Sequence, residues 1–561
     1  MSNSETLTAT RTSGKWSGHM FGIRARTLGI TAALALLAAA ACTDPTEEPV
    51  STVTGANFYN DPSSYKEFLA KLYVGLSVGG QQGGDGSTDI NGIDGGFSQY
   101  MRLYWELEEL PTDEAVIAWG DLTLPELNTQ GWNPSNTFVN AMYDRVFFQI
   151  NMANEFLRQS TDAKLASRGQ TALGDSVHMY RAEARFLRAL SYWHGIDLFG
   201  DIPLVTENDA VGATPPPQAT RAQVYAYIVS ELQAIKSQLP SPSASTYGRA
   251  TGPAADMLLA ELYLNAGVYT GTPNYAGALS QASAVIADGY SLAPNYFDNF
   301  DADNNTSPEM IFAVTEDGIH TQTYGSTNFI IHASCGNSMN PSAYGVDGCW
   351  YGLRMKPSAH DLYAAGDTRA NNFFTSGQVV PITDIKNFGL GIPNPKFSNK
   401  THLGATGSNP SFADTDFPMF RLGEAYLIYA EAEVRGGGGD TTTALSYVNA
   451  LRLRAFNNDS TKMVNNTQMT GTVVVGSDTL PFLLAERGRE LMWEAHRRTD
   501  LVRYGMFTGG QYKWAWKGAN AYYVGSAGDS TPVATPAYLN LYPLPVNVLV
   551  ANPKLKQNPG Y

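Results

Sequence analysis

Two stretches of the chain place flat aromatic rings beside hydrogen-bonding side chains in loop-forming sequence. The first is residues 113–134, and the second is residues 349–354, which read CWYGLR. Sugars present apolar C–H faces as well as hydroxyl groups, so a carbohydrate site needs rings for stacking beside polar groups. The sequence therefore predicts ligand contacts at Trp119, Trp132, Trp350, Tyr351 and Arg354.

Patterns for catalysis are weaker. Residues 75–79 (GLSVG) match the nucleophile elbow of hydrolases, but that elbow follows a strand, whereas a helix is predicted before this segment. Asp113 and Glu114 could serve a glycosidase, which uses two carboxylates. A chain with 52 acidic residues offers such pairs by chance. We assign no catalytic residue and keep a glycan-degrading enzyme as an alternative.

Two loops carry acids and amides of the kind that bind Ca²⁺. Neither follows the order of a calcium loop, because residues 79–96 lack the bidentate Glu and residues 301–309 have Thr306 where Gly is required. The acids and amides of the first loop are Asp85, Asp89, Asn91 and Asp94. The sequence predicts no cofactor and no metal ligand. Structural calcium in the first loop is the less favoured interpretation.

Cys335 and Cys349 are 14 residues apart in a segment rich in Gly, Ser and Asn. In an exported protein such a pair indicates a disulfide. A metal site with nearby histidines is the alternative, but no C-x-x-C or H-x-x-x-H spacing supports it.

The N-terminus predicts export and acylation. Four basic residues precede an apolar run over residues 28–41, which is long enough for a signal peptide and too short for an ordinary membrane span. Cys42 follows three alanines, which resembles the lipobox of bacterial lipoproteins. We therefore predict a signal peptide at residues 1–41 and a lipid anchor at Cys42, followed by a tether at residues 42–60.

The chain has 561 residues and a formal net charge of −15, which becomes more negative once the basic leader is removed. An acidic surface repels phosphate backbones, so no nucleic-acid partner is expected.

Helical periodicity dominates most of the chain. Single helices are predicted at residues 61–78, 138–160, 176–198 and 218–238. Residues 257–290 and 421–455 each give a helix, a glycine-containing turn and a second helix, which resembles a tetratricopeptide hairpin. One hairpin cannot bury its apolar face, so several must stack.

Residues 291–420 lack this rhythm and are predicted to form an irregular inserted subdomain with strands at residues 310–314 and 327–333. A second irregular stretch, residues 506–543, contains Trp514, Trp516, Tyr522 and Tyr523. Loops of this kind on a rigid frame commonly carry binding sites.

Residues 486–505 are predicted to form one charged helix. The spacing of Glu494 to Arg497 and Arg498 favours ion pairs within that helix. Trp193 and Trp493 are predicted to be core residues of amphipathic helices.

Three segments, in order, resemble signatures of the SusD/RagB family of nutrient-binding lipoproteins. They are YRAEARFLRALSYWHGIDLFGDIPLVTE at residues 180–207, ERGRELMWEAHRRTDLVRYG at 486–505 and YPLPVNVLVANPKLKQNPGY at 542–561. The resemblance implies a scaffold of four helix pairs and a ligand site near a Gly-Trp type loop, where this chain has Gly348, Cys349 and Trp350. It also implies a SusC-like TonB-dependent transporter as partner and a lipid-anchored position on the outer membrane, facing the exterior.

We therefore expect a mainly α protein of SusD-like fold. Its tetratricopeptide-like scaffold would span residues 61–290 and 421–561, with the irregular subdomain at residues 291–420. The expected function is non-catalytic capture of a nutrient glycan, an oligosaccharide, for delivery to the transporter. A helical-repeat scaffold that binds peptide or protein is the other alternative.

Overall fold

Several helices begin at a side chain that caps them. The side-chain oxygen of Asn136 accepts hydrogen bonds from the backbone N–H groups of Phe138 and Val139, and Thr220 and Gln223 form a capping box at another helix start. The computed structural model describes residues 57–84, 86–212, 215–518 and 534–561. The leader, Cys42, Asp85, Tyr522 and Tyr523 lie outside these residues.

Helices account for most of the regular structure in the described residues. In chain order they are α1 (Ser64–Val74), α2 (Tyr100–Glu109), α3 (Pro125–Asn128), α4 (Thr137–Gln159), α5 (Asp162–Ser167), α6 (Gly174–Phe199), α7 (Arg221–Ile235), α8 (Gly252–Leu264), α9 (Ala266–Thr270), α10 (Tyr275–Ala287), α11 (Ser326–Ala333), α12 (Pro357–His360), α13 (Leu422–Val434), α14 (Thr441–Ala455), α15 (Asn466–Met469), α16 (Phe482–Glu490), α17 (Arg497–Arg503) and α18 (Val546–Ala551). The predicted mainly α fold class is confirmed.

The strands are short and form two-stranded antiparallel pairs. They are β1 (Ala115–Ile117), β2 (Ile202–Pro203), β3 (Gln218–Ala219), β4 (Met310–Val314), β5 (Leu353–Met355), β6 (Phe417–Arg421), β7 (Thr472–Val475) and β8 (Asp478–Pro481). The pairs are β1 with β5, β2 with β3, β4 with β6 and β7 with β8. The strand predicted at residues 310–314 is confirmed, but residues 327–333 lie in helix α11. A short, fully buried apolar run does not distinguish helix from strand by periodicity.

The longer helices pack against one another, both with near neighbours in sequence and, for α10 with α13, across the segment between residues 287 and 422. Helix α6 contacts α4 and α7, α8 contacts α10, and α13 contacts both α10 and α14. The tetratricopeptide character of these pairs stays a prediction, as do the boundaries at residues 290 and 420. By their contacts, residues 62–561 form one compact unit. Nowhere in the described ranges does a helix combine the length and apolarity needed to cross a membrane.

Helix α6 is central to this packing. Its predicted face is buried at Ala182, Phe186, Leu190 and Trp193. The helix ends at Gly200, whose φ of +73° lies in the region that favours glycine. The burial of these side chains explains why this segment is so apolar on one face.

The charged segment predicted as one helix is broken. Helix α16 ends at Glu490 and α17 begins at Arg497, and between them Trp493 and Ala495 have φ values of +63° and +62°. Trp493 is buried as predicted, but in this linker and not in a helix. The linker turns its side chains into the core, where partners from distant elements lie.

The intrahelical ion pairs predicted for this segment are therefore wrong. Glu494 pairs with Arg421 and Lys396, each at 2.6 Å. Arg497 pairs with Asp113 at 2.6 Å, and Arg498 pairs with Asp197 at 2.6 Å and with Glu108 at 3.0 Å. These buried pairs connect the linker to Lys396 and to Arg421 at the end of β6, and they connect α17 to helices α2 and α6 and to Asp113 before β1.

Candidate functional site

Pairing of β1 with β5 brings the two predicted aromatic loops together. Ala115 lies opposite Met355, and Ile117 lies opposite Leu353. The backbone N–H of Ala118 then donates to the carbonyl oxygen of Gly352 at 2.9 Å, which extends the pairing by one residue. The loop after β1 and the loop before β5 therefore leave the sheet side by side.

The loop before β5 also caps helix α11. The backbone N–H groups of residues 350, 351 and 352 donate to the carbonyl oxygens of His332 at 2.8 Å, Cys335 at 3.0 Å and Ala333 at 2.8 Å. The last carbonyls of a helix lack partners within the helix, so these bonds satisfy groups that would otherwise need water. Tyr351 reaches its position with a φ of +56°.

A disulfide joins Cys335 and Cys349, whose Cα atoms are 4.7 Å apart. The two sulfur atoms are bonded to each other, which leaves neither as a metal ligand. Cys335 is buried with Met339 and Phe388. The disulfide therefore closes the loop whose two ends lie at the helix terminus and at Trp350.

Four partly exposed rings form a continuous row that we name the aromatic platform: Trp119, Trp350, Tyr324 and Phe412. The ring centroids of Trp119 and Trp350 are 6.4 Å apart with 45° between the ring planes. The corresponding values are 5.7 Å and 87° for Tyr324 with Trp350, and 5.7 Å and 20° for Tyr324 with Phe412. Because neighbouring planes are tilted, and Tyr324 meets Trp350 edge to face, the four rings do not form one flat surface.

Each tryptophan of the platform makes a specific contact that fixes its ring. The indole Nε1 of Trp119 donates to the carbonyl oxygen of Trp350 at 2.9 Å. Trp350 stacks on the imidazole of His332 at 4.5 Å, and burial lowers the pKa of His332, which favours the neutral ring. A Cβ added at Gly352 would lie 2.8 Å from the Trp119 ring, so this position requires glycine.

Arg102 and Glu106 of helix α2 lie beneath the platform. The guanidinium carbon of Arg102 is 5.5 Å from the Trp119 ring centroid, and its Nε donates to Glu106 at 3.0 Å. Burial raises the pKa of Glu106 to about 7, although Arg102 opposes that shift. The buried side of the site therefore contains a polar pair as well as the apolar ring of Phe329, which lies 5.8 Å from Trp119 between ring centroids.

Tyr351 and Trp132, two of the predicted ligand residues, differ in their exposure to solvent. Tyr351 is 48% exposed and lies 5.6 Å from Phe388 between ring centroids, so it remains a candidate contact. Trp132 is only 4% exposed, and its Nε1 donates to the Tyr561 hydroxyl at 2.7 Å. The prediction that Trp132 contacts the ligand directly is wrong, because its ring packs against Tyr542 and its N–H is hydrogen-bonded to Tyr561.

The prediction that Arg354 contacts the ligand is also wrong. Its side chain is buried, and its guanidinium donates to the carbonyl oxygens of residues 352 at 2.9 Å, 385 at 2.6 Å, 387 at 3.2 Å and 390 at 2.9 Å. Burial lowers the pKa of Arg354 to about 9, although the Asp384 carboxylate opposes that shift. The residue holds the segment around Phe388 against the loop before β5.

Tyr324 and Phe412 were missed by sequence reasoning. Tyr324 precedes helix α11, which was predicted as a strand, and Phe412 lies in a polar stretch without periodicity. Gly84 approaches both rings closely, since a Cβ there would lie 3.0 Å from Phe412 and 3.2 Å from Tyr324. Exposed polar residues flank the platform at Asp121 and Asp347, the latter hydrogen-bonded to the Ser411 hydroxyl.

The residues considered for catalysis are structural. Asp113 is buried, accepts two hydrogen bonds from Arg497 and accepts one from the Tyr512 hydroxyl at 2.6 Å. Glu114 accepts from the backbone N–H of Trp493 at 3.0 Å. Ser77 is buried and donates to Glu316 at 2.8 Å. These groups face the core.

Comparison with known proteins finds relatives over nearly the whole chain. A profile described as the SusD family matches residues 368–561, and one described as starch-binding associating with outer membrane matches residues 96–264. Starch-binding protein SusD of Bacteroides thetaiotaomicron is 33% identical, over 91% of this chain and 94% of that protein. SusD-like protein P2 of Formosa agariphila is 25% identical, over 95% and 99%.

Solved structures show the same fold at lower identity. A SusD homolog from Bacteroides thetaiotaomicron has a TM-score of 0.66 at 18% identity, covering 92% of this chain and 100% of its own. Surface glycan-binding protein A from the same organism, solved with laminarihexaose, has a TM-score of 0.64 at 19% identity, covering 88% and 98%. On the strength of the relative that is 33% identical along nearly its full length, the chain belongs to the SusD family.

Proposed function

We propose that this protein is a non-catalytic glycan-binding protein that captures an oligosaccharide on the aromatic platform. The observation that carries the proposal is the junction of Trp119 and Trp350, two partly exposed indoles from distant loops fixed by a direct hydrogen bond. Rings held in place before binding lose little freedom when a ligand stacks on them. Names of the relatives describe binding proteins, which agrees with this role.

The tilt between the rings favours a curved ligand. A flat, ribbon-like chain can stack on coplanar rings, whereas the ring planes here differ by 45° between Trp119 and Trp350 and by 87° between Trp350 and Tyr324. Among glucans, the α-linked chains curve. The relative with 33% identity is named a starch-binding protein, so an α-glucan is the first ligand to test.

The experiment is isothermal titration calorimetry of the mature protein with maltoheptaose, laminarihexaose and cellohexaose. We expect maltoheptaose to bind. We expect Trp350→Ala or Trp119→Ala to raise the Kd for maltoheptaose by about tenfold or more, because losing one stacking contact costs of order 1.4 kcal/mol. Tyr447→Ala is the matched control, because Tyr447 is a partly exposed ring stacked on Tyr426 outside the platform.

Other results would favour the alternatives. Shortening of maltoheptaose during long incubation would support a glycan-degrading enzyme. Equal binding by wild type and both tryptophan variants would reject the platform as the site. Failure to bind any oligosaccharide on a glycan array, with binding to a peptide library, would support the peptide-binding scaffold.

Delivery to a SusC-like TonB-dependent transporter, and attachment to the outer membrane through acylated Cys42 with the protein facing the exterior, complete the proposed function. The profile described as associating with outer membrane supports this location. Cys42→Ser should abolish metabolic labelling with palmitate and release the protein from the membrane fraction. External protease added to intact cells should degrade the wild-type protein. Copurification of a large barrel protein tests the partner.

A further inference from the structure

Three potential metal ligands from three separate elements meet in the core, away from the aromatic platform. Glu261 lies on helix α8, Glu424 lies at the start of α13, and His496 directly precedes α17. One ligand atom from each lies within 4.8 Å of the other two, and all three side chains are buried. Carboxylates and imidazole are the ligand types that Zn²⁺ binds in proteins.

Three of the four carboxylate oxygens in this cluster lack a hydrogen-bond donor in the part of the chain that the structure describes. Within the described ranges, no group donates a hydrogen bond to either carboxylate oxygen of Glu424 or to Oε1 of Glu261. The Nδ1 atom of His496 is 3.6 Å from Oε1 of Glu424, which is longer than a hydrogen bond. A buried carboxylate without donors is costly, so these oxygens call for a cation or a proton between them.

Two arginines lie beside the cluster, and both also pair with other carboxylates. Arg487 Nη2 pairs with Oε1 of Glu261 at 3.6 Å, and Arg487 Nε donates to Asp500 at 2.7 Å. Arg503 pairs with Glu431 at 2.7 Å and with Asp500 at 2.6 Å. Asp500 and Glu431 therefore offset these two guanidinium groups. Glu261 therefore shares Arg487 with Asp500, and Glu424 has no arginine or lysine within ion-pair distance among the described residues.

One carboxylate is also oriented toward the cluster by its neighbour. The side-chain amide of Asn265 donates to Oε2 of Glu261 at 2.9 Å, which leaves Oε1 on the side of Glu424 and His496. A hydrogen bond to the second oxygen of a ligating carboxylate is a common feature of metal sites, where it fixes the direction of the first oxygen.

We propose that Glu261, Glu424 and His496 bind a divalent transition-metal ion, with Zn²⁺ as the best fit. Two carboxylates neutralise the dication, and a neutral imidazole supplies the nitrogen ligand. Calcium fits poorly because it takes six to eight oxygen ligands. Tetrahedral Zn²⁺ with bonds of about 2.0–2.1 Å would bring the three ligand atoms to about 3.3 Å from one another, and a water molecule would take the fourth position. The ion would tie α8, α13 and α17 together.

The rival explanation is one proton shared by the two carboxylates. Metal analysis separates the two. Tag-free mature protein, purified without chelator, is analysed by inductively coupled plasma mass spectrometry. Because the cluster is buried, we expect a bound metal to exchange slowly with solution. Further samples are therefore unfolded in denaturant and refolded separately in EDTA, Zn²⁺, Mn²⁺ or Ca²⁺. We expect one Zn²⁺ per chain and a Tm several degrees higher after refolding with Zn²⁺ than after refolding in EDTA.

Variants locate the ion. Glu424→Gln should lose the metal and the Zn²⁺-dependent rise in Tm. Glu433→Gln, on the same helix but outside the cluster, should keep both. Wild-type protein with substoichiometric metal and the same Tm under all refolding conditions would overturn the proposal in favour of the shared proton, and that result does not require any variant to fold. Stoichiometric metal that persists in Glu424→Gln would also overturn it, because the ion would then lie elsewhere.

Discussion

The indole nitrogen of Trp119 donates a 2.9 Å hydrogen bond to the carbonyl oxygen of Trp350, a residue 231 positions further along the chain. Trp119→Phe keeps an aromatic ring and removes this bond. One hydrogen bond contributes about 0.5–1.5 kcal/mol, so we expect Kd for maltoheptaose to rise by about 3- to 10-fold, less than in Trp119→Ala. Calorimetry with all three proteins checks the order. Wild-type affinity in Trp119→Phe would show that the bond does not position the ring.

Gly352 is the point where the backbone approaches the Trp119 ring most closely. Gly352→Ala would place a Cβ 2.8 Å from that ring and 3.2 Å from the Cβ of Ala333, so the ring must move. We expect weaker glycan binding and a lower Tm. Gly348→Ala is the matched control in the same loop, since a Cβ there meets no atom within 4 Å. Equal affinities for the two variants would contradict the role given to the ring position.

Arg497 and Asp113 form a buried, two-point ion pair that connects α17 to the segment before β1. Arg497 Nε and Nη2 donate to the two carboxylate oxygens at 2.7 and 2.6 Å. Arg497→Leu leaves a buried carboxylate without its cation, which typically costs 3–5 kcal/mol. Arg158→Leu removes an exposed pair with Glu155 and should cost about 1 kcal/mol or less. Urea denaturation measures both, and similar losses would show that burial does not set the cost.

Glu316 should make the protein less stable as pH rises. It is buried between Ser77 and Thr321, and burial raises its pKa from 4.5 to about 8. The unfolded chain therefore ionises Glu316 at lower pH than the folded protein does. Its contribution to stability is complete below pH 4.5 and is lost as pH rises through about 8.

Glu316→Gln removes this titration. Between pH 5 and 8 the free energy of unfolding should fall more steeply for wild type than for the variant, by an amount of order 2–4 kcal/mol. Denaturation curves at pH 5, 6.5 and 8 give the comparison. Parallel pH profiles would mean that Glu316 is ionised in the folded protein throughout this range.

Sequence reasoning succeeded where the signal was local. The period of apolar residues in α6 and the glycine at its end are properties of one segment, and the structure confirms both at Trp193 and Gly200. The disulfide partners could be proposed because only two cysteines follow the one at the leader. Sequence reasoning failed for α11, because this apolar run is too short for its periodicity to distinguish a helix from a strand.

Long-range contacts explain the other failures. Glu494 lies within four residues of Arg497 and Arg498, yet its partners are Arg421 and Lys396, 73 and 98 residues away. Nothing in the local spacing indicates that the chain turns inward at Trp493. For the same reason Trp132 and Arg354, chosen for their residue type and loop context, belong to the core, while Tyr324 was passed over.

The loop closed by Cys335 and Cys349 has its base fixed at the end of α11 and an exposed tip around Asn337, Ser338 and Ser342. An environment-sensitive dye attached at that tip would lie on the loop that ends next to Trp350, without replacing any ring of the platform. The loop next to Trp350 thus provides an attachment site through which the protein could be converted into an optical sugar sensor.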